Sequence, residues 1–247
     1  MIKLTFIFSL LLSLPLAAQV IRANDNLFNL TQTANQGKTP QMVINESLLN
    51  YDRFIQLDVN SYLYTPLSIV NQDANKARTV SVAQANHVIQ STISNPVVAS
   101  HQNQKYDPDR KGIGFCFGRA MFTHLYLAQA GVNRANIKKA FVVGPMMNGA
   151  WAWHVATVVQ STLSSGQETW LVLDPVIGYV VDVRTWYKRW LQSSDDKKLR
   201  LFIADSGKFG AHPGNYDERN KTDAFYNRYF SDMDKWFEEN YQSVRLP

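Results

Sequence analysis

Phe117, Ala120, Met121, His124, Leu125 and Ala128 recur at the spacing of one helix face, and Gly131 stands where such a helix would end. Three runs rich in Val, Ile, Leu and aromatics follow: Ala140–Val143, Trp153–Val159 and Thr169–Leu173. They predict strands of a β-sheet. Beyond them the pattern predicts a helix over Val183–Leu191, a strand over Leu199–Ala204 and a long terminal helix over Thr222–Tyr241. Ahead of the first helix the chain is more polar and rich in Asn and Gln. Short strands are expected at Phe54–Leu57 and Tyr62–Val70, the latter interrupted by Pro66, with a helix over Val80–Ile93 started by Ser81. Asn95-Pro96 and the stretch from His101 to Lys111, containing Asp107-Pro108-Asp109, form the best boundary in the chain. There is no internal repeat.

The first residues break from this pattern. Met1-Ile2-Lys3, an apolar run from Leu4 to Leu16 and then Ala17-Ala18-Gln19 have the charged start, short hydrophobic stretch and small-residue site of a signal peptide. Residues 1–18 are therefore expected to be removed on export to the periplasm or medium. No other run approaches the length of a membrane helix. The rest of the 247-residue chain suffices for one domain, or for a catalytic domain over 105–247 preceded by a smaller α+β segment over 19–104. The net charge of +5 is spread over separated doublets, Lys138-Lys139, Lys188-Arg189 and Lys197-Lys198. That distribution argues against a nucleic-acid stripe.

Cys116 is the one cysteine, so it forms no internal disulfide. It sits where the glycine-punctuated loop from Gly112 to Gly114 meets the first strong helix. An unpaired thiol in an exported protein invites a reactive role, and a helix N-terminus favours a thiolate there. His154 in Trp151-Ala152-Trp153-His154 and Asp174 before Pro175 are the potential partners. Ser161 to Gln167 has the composition of a hairpin connection, and a regular hairpin centred on Ser164 places His154 directly opposite Asp174 on one side of the sheet. Together these residues would make a nucleophile, a general base and acid, and a carboxylate that orients the base. Each has a plain alternative: Cys116 as a small buried residue, His154 as a strand histidine, Asp174 as a strand-ending turn residue.

Other residues add less. Arg119, one turn from Cys116, could steady a thiolate or make a structural ion pair. His124 falls on the apolar stripe and reads as core, and His87, His101 and His212 have no ligand-like spacing, so no metal site is expected. The sequons at Asn29, Asn45 and Asn220 carry no weight in a protein of bacterial character.

Around these residues the sequence resembles the protein-glutaminase family, secreted bacterial enzymes that deamidate glutamine side chains in folded proteins. The resemblance lies in Cys116-Phe117-Gly118-Arg119-Ala120, Phe141-Val142-Val143-Gly144, Trp151 through Ala156, and Asp174-Pro175, in that order and at similar spacing. It spans about Gly112 to Asp182. It implies an α+β fold with a papain/transglutaminase-like core, in which a helix carrying the nucleophile packs on an antiparallel sheet. The catalytic cysteine, histidine and aspartate fall on Cys116, His154 and Asp174, and residues 19–104 correspond to an inhibitory prosegment. That family carries further cysteines in disulfides; this chain has none.

The implied reaction needs no cofactor. The Cys116 thiolate attacks a glutamine carboxamide, His154 protonates the departing ammonia, and water activated by His154 hydrolyses the thioester. Backbone N–H groups near Phe115 and Cys116, with Gly112 and Gly114 allowing close approach, would stabilise the oxyanion. Gly114, Phe115, Trp151 and Trp153 are the candidates for substrate contact. The implied partner is a protein presenting glutamine, and the N-terminal segment is a candidate inhibitory contact. The same three groups could also cleave peptides or pass the acyl group to an amine. A non-catalytic exported binding module remains the alternative from another class.

Overall fold

Residues His154 to Val159 of the second strand are all buried, although consecutive strand side chains point to opposite faces. A strand apolar on both sides must be covered on both sides, and that requirement sets the architecture. In a computed structural model, which describes residues 21–49, 79–109, 114–214, 216 and 224–247, the chain is a mixed α/β protein built on a five-stranded antiparallel sheet between helices. The strands are β1 (Ile137–Met146), β2 (Trp151–Thr162), β3 (Glu168–Leu173), β4 (Val181–Asp182) and β5 (Arg200–Asp205), in the order β4-β3-β2-β1-β5.

Phe141, Val143, Val155, Val159, Leu171 and Leu173 face the larger core. It is closed by α1 (Leu27–Asn35), α2 (Val82–Ser94), α3 (Cys116–Gln129) and α5 (Ala224–Glu239). The opposite parity, Val142, Ala156, Val158, Trp170 and Val172, packs against Trp186, Tyr187 and Trp190 of α4 (Val183–Gln192). Local signals place the helices. Ser81 and Gln84 form a reciprocal capping box at the start of α2, Asp182 caps α4 by accepting from the Thr185 N–H, and Gly131 adopts φ +89° just beyond α3.

β1 and β2 are longer than their apolar runs because backbone pairing continues through polar residues such as Lys139 and Ser161, which interrupt the run yet are buried. The helix over residues 27–35 escapes periodicity because its large apolar residues, Leu27, Phe28 and Leu30, are confined to its start and the stretch from Thr31 to Asn35 is mostly polar. The expected signal peptide over residues 1–18, the strands at Phe54–Leu57 and Tyr62–Val70, and Gly112 and Asn220 lie outside the described residues. None of the described helices is long and apolar enough to cross a membrane.

The expected division near residue 104 does not separate two cores among the described residues. Leu27, Ala85, Val88 and Ile89 share one cluster with Phe117, Phe122 and Leu127 of α3. The loop rich in Asn and Pro makes a tight turn, in which the Asn95 side chain accepts from the Val97 and Val98 N–H groups. The chain then docks back through Tyr106, whose hydroxyl donates to Asp232 at 2.7 Å.

The tightest helix contact lies two residues past Cys116. At Gly118 a Cβ would run into the Tyr229 ring of α5, so only glycine lets α3 and α5 approach this closely. Gly118→Ala is expected to lower unfolding stability by about 1–3 kcal/mol through overpacking, read from urea unfolding, with the methyl-sized change felt because Tyr229 is fully buried.

Candidate active site

Cys116 is the first residue of α3, and its N-cap, Phe115, takes the left-handed conformation (φ 48°, ψ 17°) with no side-chain cap. For a bulky aromatic this conformation costs about 1–3 kcal/mol and persists only where the surroundings enforce it. Here Arg119 Nη2 donates to Gly114 O at 2.7 Å, and the Phe115 ring packs among Tyr106, Phe117 and Tyr229. The turn leaves the first N–H groups of α3 uncapped beside the thiol. Arg119 is thus a brace for the turn. Its Nε and Nη1 have no hydrogen-bond partner.

His154 Nε2 and Asp174 Oδ2 are 2.8 Å apart, and both side chains are about 1% exposed. The hairpin does not bring them directly opposite each other. Thr157 faces Leu173 and Thr162 faces Glu168, which centres the turn on Ser165 rather than Ser164. Asp174 therefore falls level with Ala156. Moving the centre by one residue displaces each partner by two, which preserves the face. The two side chains remain diagonal neighbours on one side of the sheet, within mutual reach.

Asp174 collects more donors than the sequence suggests. Its Oδ2 also accepts from Trp186 Nε1 at 2.8 Å and Trp190 Nε1 at 3.2 Å, one turn apart on α4. Its Oδ1 accepts from the Val176 N–H at 3.0 Å. Burial opposes ionisation of this carboxyl, but the facing His154 charge and these donors outweigh it and hold it below the usual carboxylate range. Burial likewise opposes the imidazolium, yet Asp174 and then Cys116 raise His154 to about 9. With Nε2 committed to Asp174, Nδ1 is the ring nitrogen left for Cys116, and it has no other partner. The ring lies 5.4 Å from Trp151 in a stacked pair and 4.2 Å from Trp190, so two indole faces favour its charge. The i, i+4 tryptophans of an amphipathic helix were the sequence signal for this brace.

Beside the thiol opens a cavity of about 230 Å³. Gly114, Phe115, Trp151 and Trp153 all line it, together with Cys116, Phe117, Phe209, Gly210, His212 and Tyr226. Phe115 is fully buried and backs the pocket. Trp151 and Trp153 stand on opposite faces of β2, one reaching Trp190 and the other Phe141. Trp153 also lies against Gly210, where a Cβ would come within 3.2 Å of its ring. Sequence reasoning missed Phe209, Gly210, His212 and Tyr226, which lie far along the chain. His124 stays in the core, with burial lowering it to about 3. No cluster of three potential metal ligands occurs among the described residues.

The arrangement joins a helix-terminal thiol to a buried imidazole–carboxylate pair at the end of an antiparallel sheet. No protein-family model matches the chain, and no curated protein matches it. Among solved structures it is similar to a crystal structure of protein-glutaminase, at 18% identity and a TM-score of 0.42, covering 62% of this chain and 90% of that one. It is also similar to the solution structure of protein-glutaminase from Chryseobacterium proteolyticum, at 19% identity and a TM-score of 0.38, covering 52% and 74%. A crystal structure of pro-protein-glutaminase overlaps at 16% identity and a TM-score of 0.42, covering 62% and 59%. Overlaps of this size leave the chemistry to be judged from the site itself.

The His154–Asp174 pair has a definite pH signature. The raised His154 contributes stability that is full below about 6.5, the ordinary histidine value, and is lost as pH rises through about 9. The lowered Asp174 contributes stability present above its ordinary value and lost as pH falls through its depressed one. Titration of the five histidines by NMR is expected to show one ring near 9. In Asp174→Asn that ring should fall to about 6.5 or lower, since burial is then opposed chiefly by Cys116.

Proposed function

We propose that the chain is an exported cysteine amidohydrolase that converts protein glutamine side chains to glutamate, on a papain/transglutaminase-like core. The observation that carries this reading is the thiol at the lip of a small pocket lined, among the described residues, by no Asp, Glu, Lys or Arg, with the His154 imidazole, raised to about 9 by Asp174, beside it. In this state Cys116 Sγ is the nucleophile. It forms a bond to the carboxamide carbon, the carbonyl oxygen takes the negative charge against the uncapped N–H groups at the start of α3, and His154 donates its proton to the leaving nitrogen. Ammonia departs, leaving a thioester. His154, now neutral, takes a proton from water as the hydroxyl attacks, and collapse gives glutamate and the free thiol. Asp174 keeps Nε2 engaged, so that the same ring nitrogen serves both proton transfers.

The pocket favours a carboxamide over the alternatives. Among the described residues its lining includes no Asp, Glu, Lys or Arg, so no carboxylate there pairs with the ammonium of an acceptor lysine, which favours water as the nucleophile. Its volume suits one side chain between aromatic walls better than an extended peptide. Trp151 and Trp153 would flank the aliphatic stem of the glutamine. The implied partner is a glutamine-bearing protein outside the cytoplasm, consistent with a leader over residues 1–18.

Ammonia release from a glutamine-rich protein such as casein tests the proposal. We expect ammonia without new peptides or cross-links, and none from Cys116→Ala. Peptide products or cross-links in place of ammonia would assign proteolysis or transamidation. The profile of kcat/KM against pH should fall on its alkaline side near 9, as His154 loses its proton. Asp174→Asn should move that limb to lower pH and reduce kcat by about 10²–10⁴-fold.

A further inference from the structure

One wall of the pocket is formed by Phe209, Gly210 and His212, in the loop that follows β5. This loop is held by the N-terminal residues 21–28. Ile21 O accepts from the Asp205 N–H at 3.1 Å, Ala23 O from the Gly214 N–H at 3.0 Å, and Ala211 O from the Leu27 N–H at 2.8 Å. Ile21 also makes a parallel bridge with Ala204, and the Phe28 ring lies 4.9 Å from that of His212. At the centre, the fully buried Lys208 donates from Nζ to Ala23 O at 2.9 Å, Asp25 O at 2.7 Å and His212 O at 3.3 Å.

An ammonium has three donors, and Lys208 spends them on three backbone carbonyls, two from the N-terminal strap and one from the pocket loop. Burying a charge in this way is costly unless the donors are satisfied. Burial lowers Lys208 to about 8, with Asp25 acting in the opposite direction, so the cage is charged at neutral pH. None of the described residues from 21 to 109 lines the pocket. The strap touches the back of the wall, not the cavity.

We propose that the strap over residues 21–28 is a permanent part of the substrate site, and that Lys208 is a positioning residue that sets the pocket wall through it. With the pocket taken as the glutamine site proposed above, this makes the strap a requirement for activity. It is the opposite of the removable inhibitor implied by the family resemblance for residues 19–104. The helix α2 reinforces the arrangement from the far side: Asn86 Oδ1 accepts from the Val180 N–H, and Gln90 Nε2 donates to Gly178 O, both in the loop leaving Asp174.

The test compares the full chain with Lys208→Met, which keeps the side-chain length and removes the donors, and with Phe28→Ala as a milder variant in case the first does not fold. KM for the protein substrate should rise about tenfold or more with kcat within a few-fold, the mark of a displaced binding wall. Alkylation of Cys116 by iodoacetamide should stay within about twofold, because the thiol is not part of the strap. Hydrogen exchange supplies a readout that does not need turnover. Amides of residues 207–214 should exchange about tenfold faster in either variant, while those of β1 stay unchanged. Unchanged exchange in that loop would overturn the proposal even if the wild-type chain releases no ammonia. Unchanged KM with intact exchange protection in β1 would overturn it as well, as would kcat and KM lost together with protection throughout the sheet.

Discussion

A buried ion pair between His154 and Asp174 is the constraint around which the molecule is arranged. Removing two charges from water costs several kcal/mol for each unless every lone pair and proton finds a partner. The neighbourhood meets that demand from four directions. The indoles of Trp186 and Trp190 and the Val176 N–H complete the carboxylate, and the faces of Trp151 and Trp190 cover the imidazole. These partners explain why α4 is tryptophan-rich on its inner face and why the strand ends at Leu173 in a turn. In that turn the Ile177 and Gly178 N–H groups donate to Asp174 O. The charge state that results, imidazolium against carboxylate, is also the state that a nucleophilic thiol needs beside it.

Bringing the thiol to that pair depends on a buried lysine. Lys139 is fully buried and faces no carboxylate among the described residues. Its Nζ donates to Ala120 O at 2.5 Å and to Thr157 Oγ1 at 2.8 Å, and Thr157 Oγ1 donates to the same carbonyl at 2.6 Å. Ala120 lies one turn beyond Cys116 on α3, and Thr157 three residues beyond His154 on β2. The bracket therefore fixes the register of the nucleophile helix along the strand that carries the base. Burial pushes Lys139 well below the ordinary lysine range, and an uncharged amine can still donate to both acceptors. Strain at Phe115, the brace from Arg119 and the glycine contact at Gly118 serve the same end of α3.

The pocket belongs to no single stretch of chain. Its floor comes from the start of α3, one side from the beginning of β2, and the other from the loop after β5 and from α5. The N-terminal residues hold the loop from behind, and α2 holds the turn that carries Asp174. A segment polar in composition and set apart by a loop thus shares the central core, because its few apolar residues, Leu27, Val88 and Ile89 among them, are buried there.

Much of this was legible in the linear pattern. The stripe from Phe117 to Ala128, the three apolar runs and the caps at Ser81 and Gly131 depend on local periodicity and backbone chemistry, which neighbouring residues set by themselves. The candidacy of Cys116, His154 and Asp174 followed from their residue types and from the face-preserving arithmetic of a hairpin. The register itself did not, because a turn of Ser, Gly and Gln residues can be centred on Ser164 or Ser165 with little local difference. Only packing decided which centre the hairpin takes. Tertiary structure alone also supplied the indole donors to Asp174, the Lys139 bracket, the Lys208 cage and the far wall of the pocket. They join groups up to 185 residues apart in sequence, and spacing along a chain carries no information about contacts that long loops bring together.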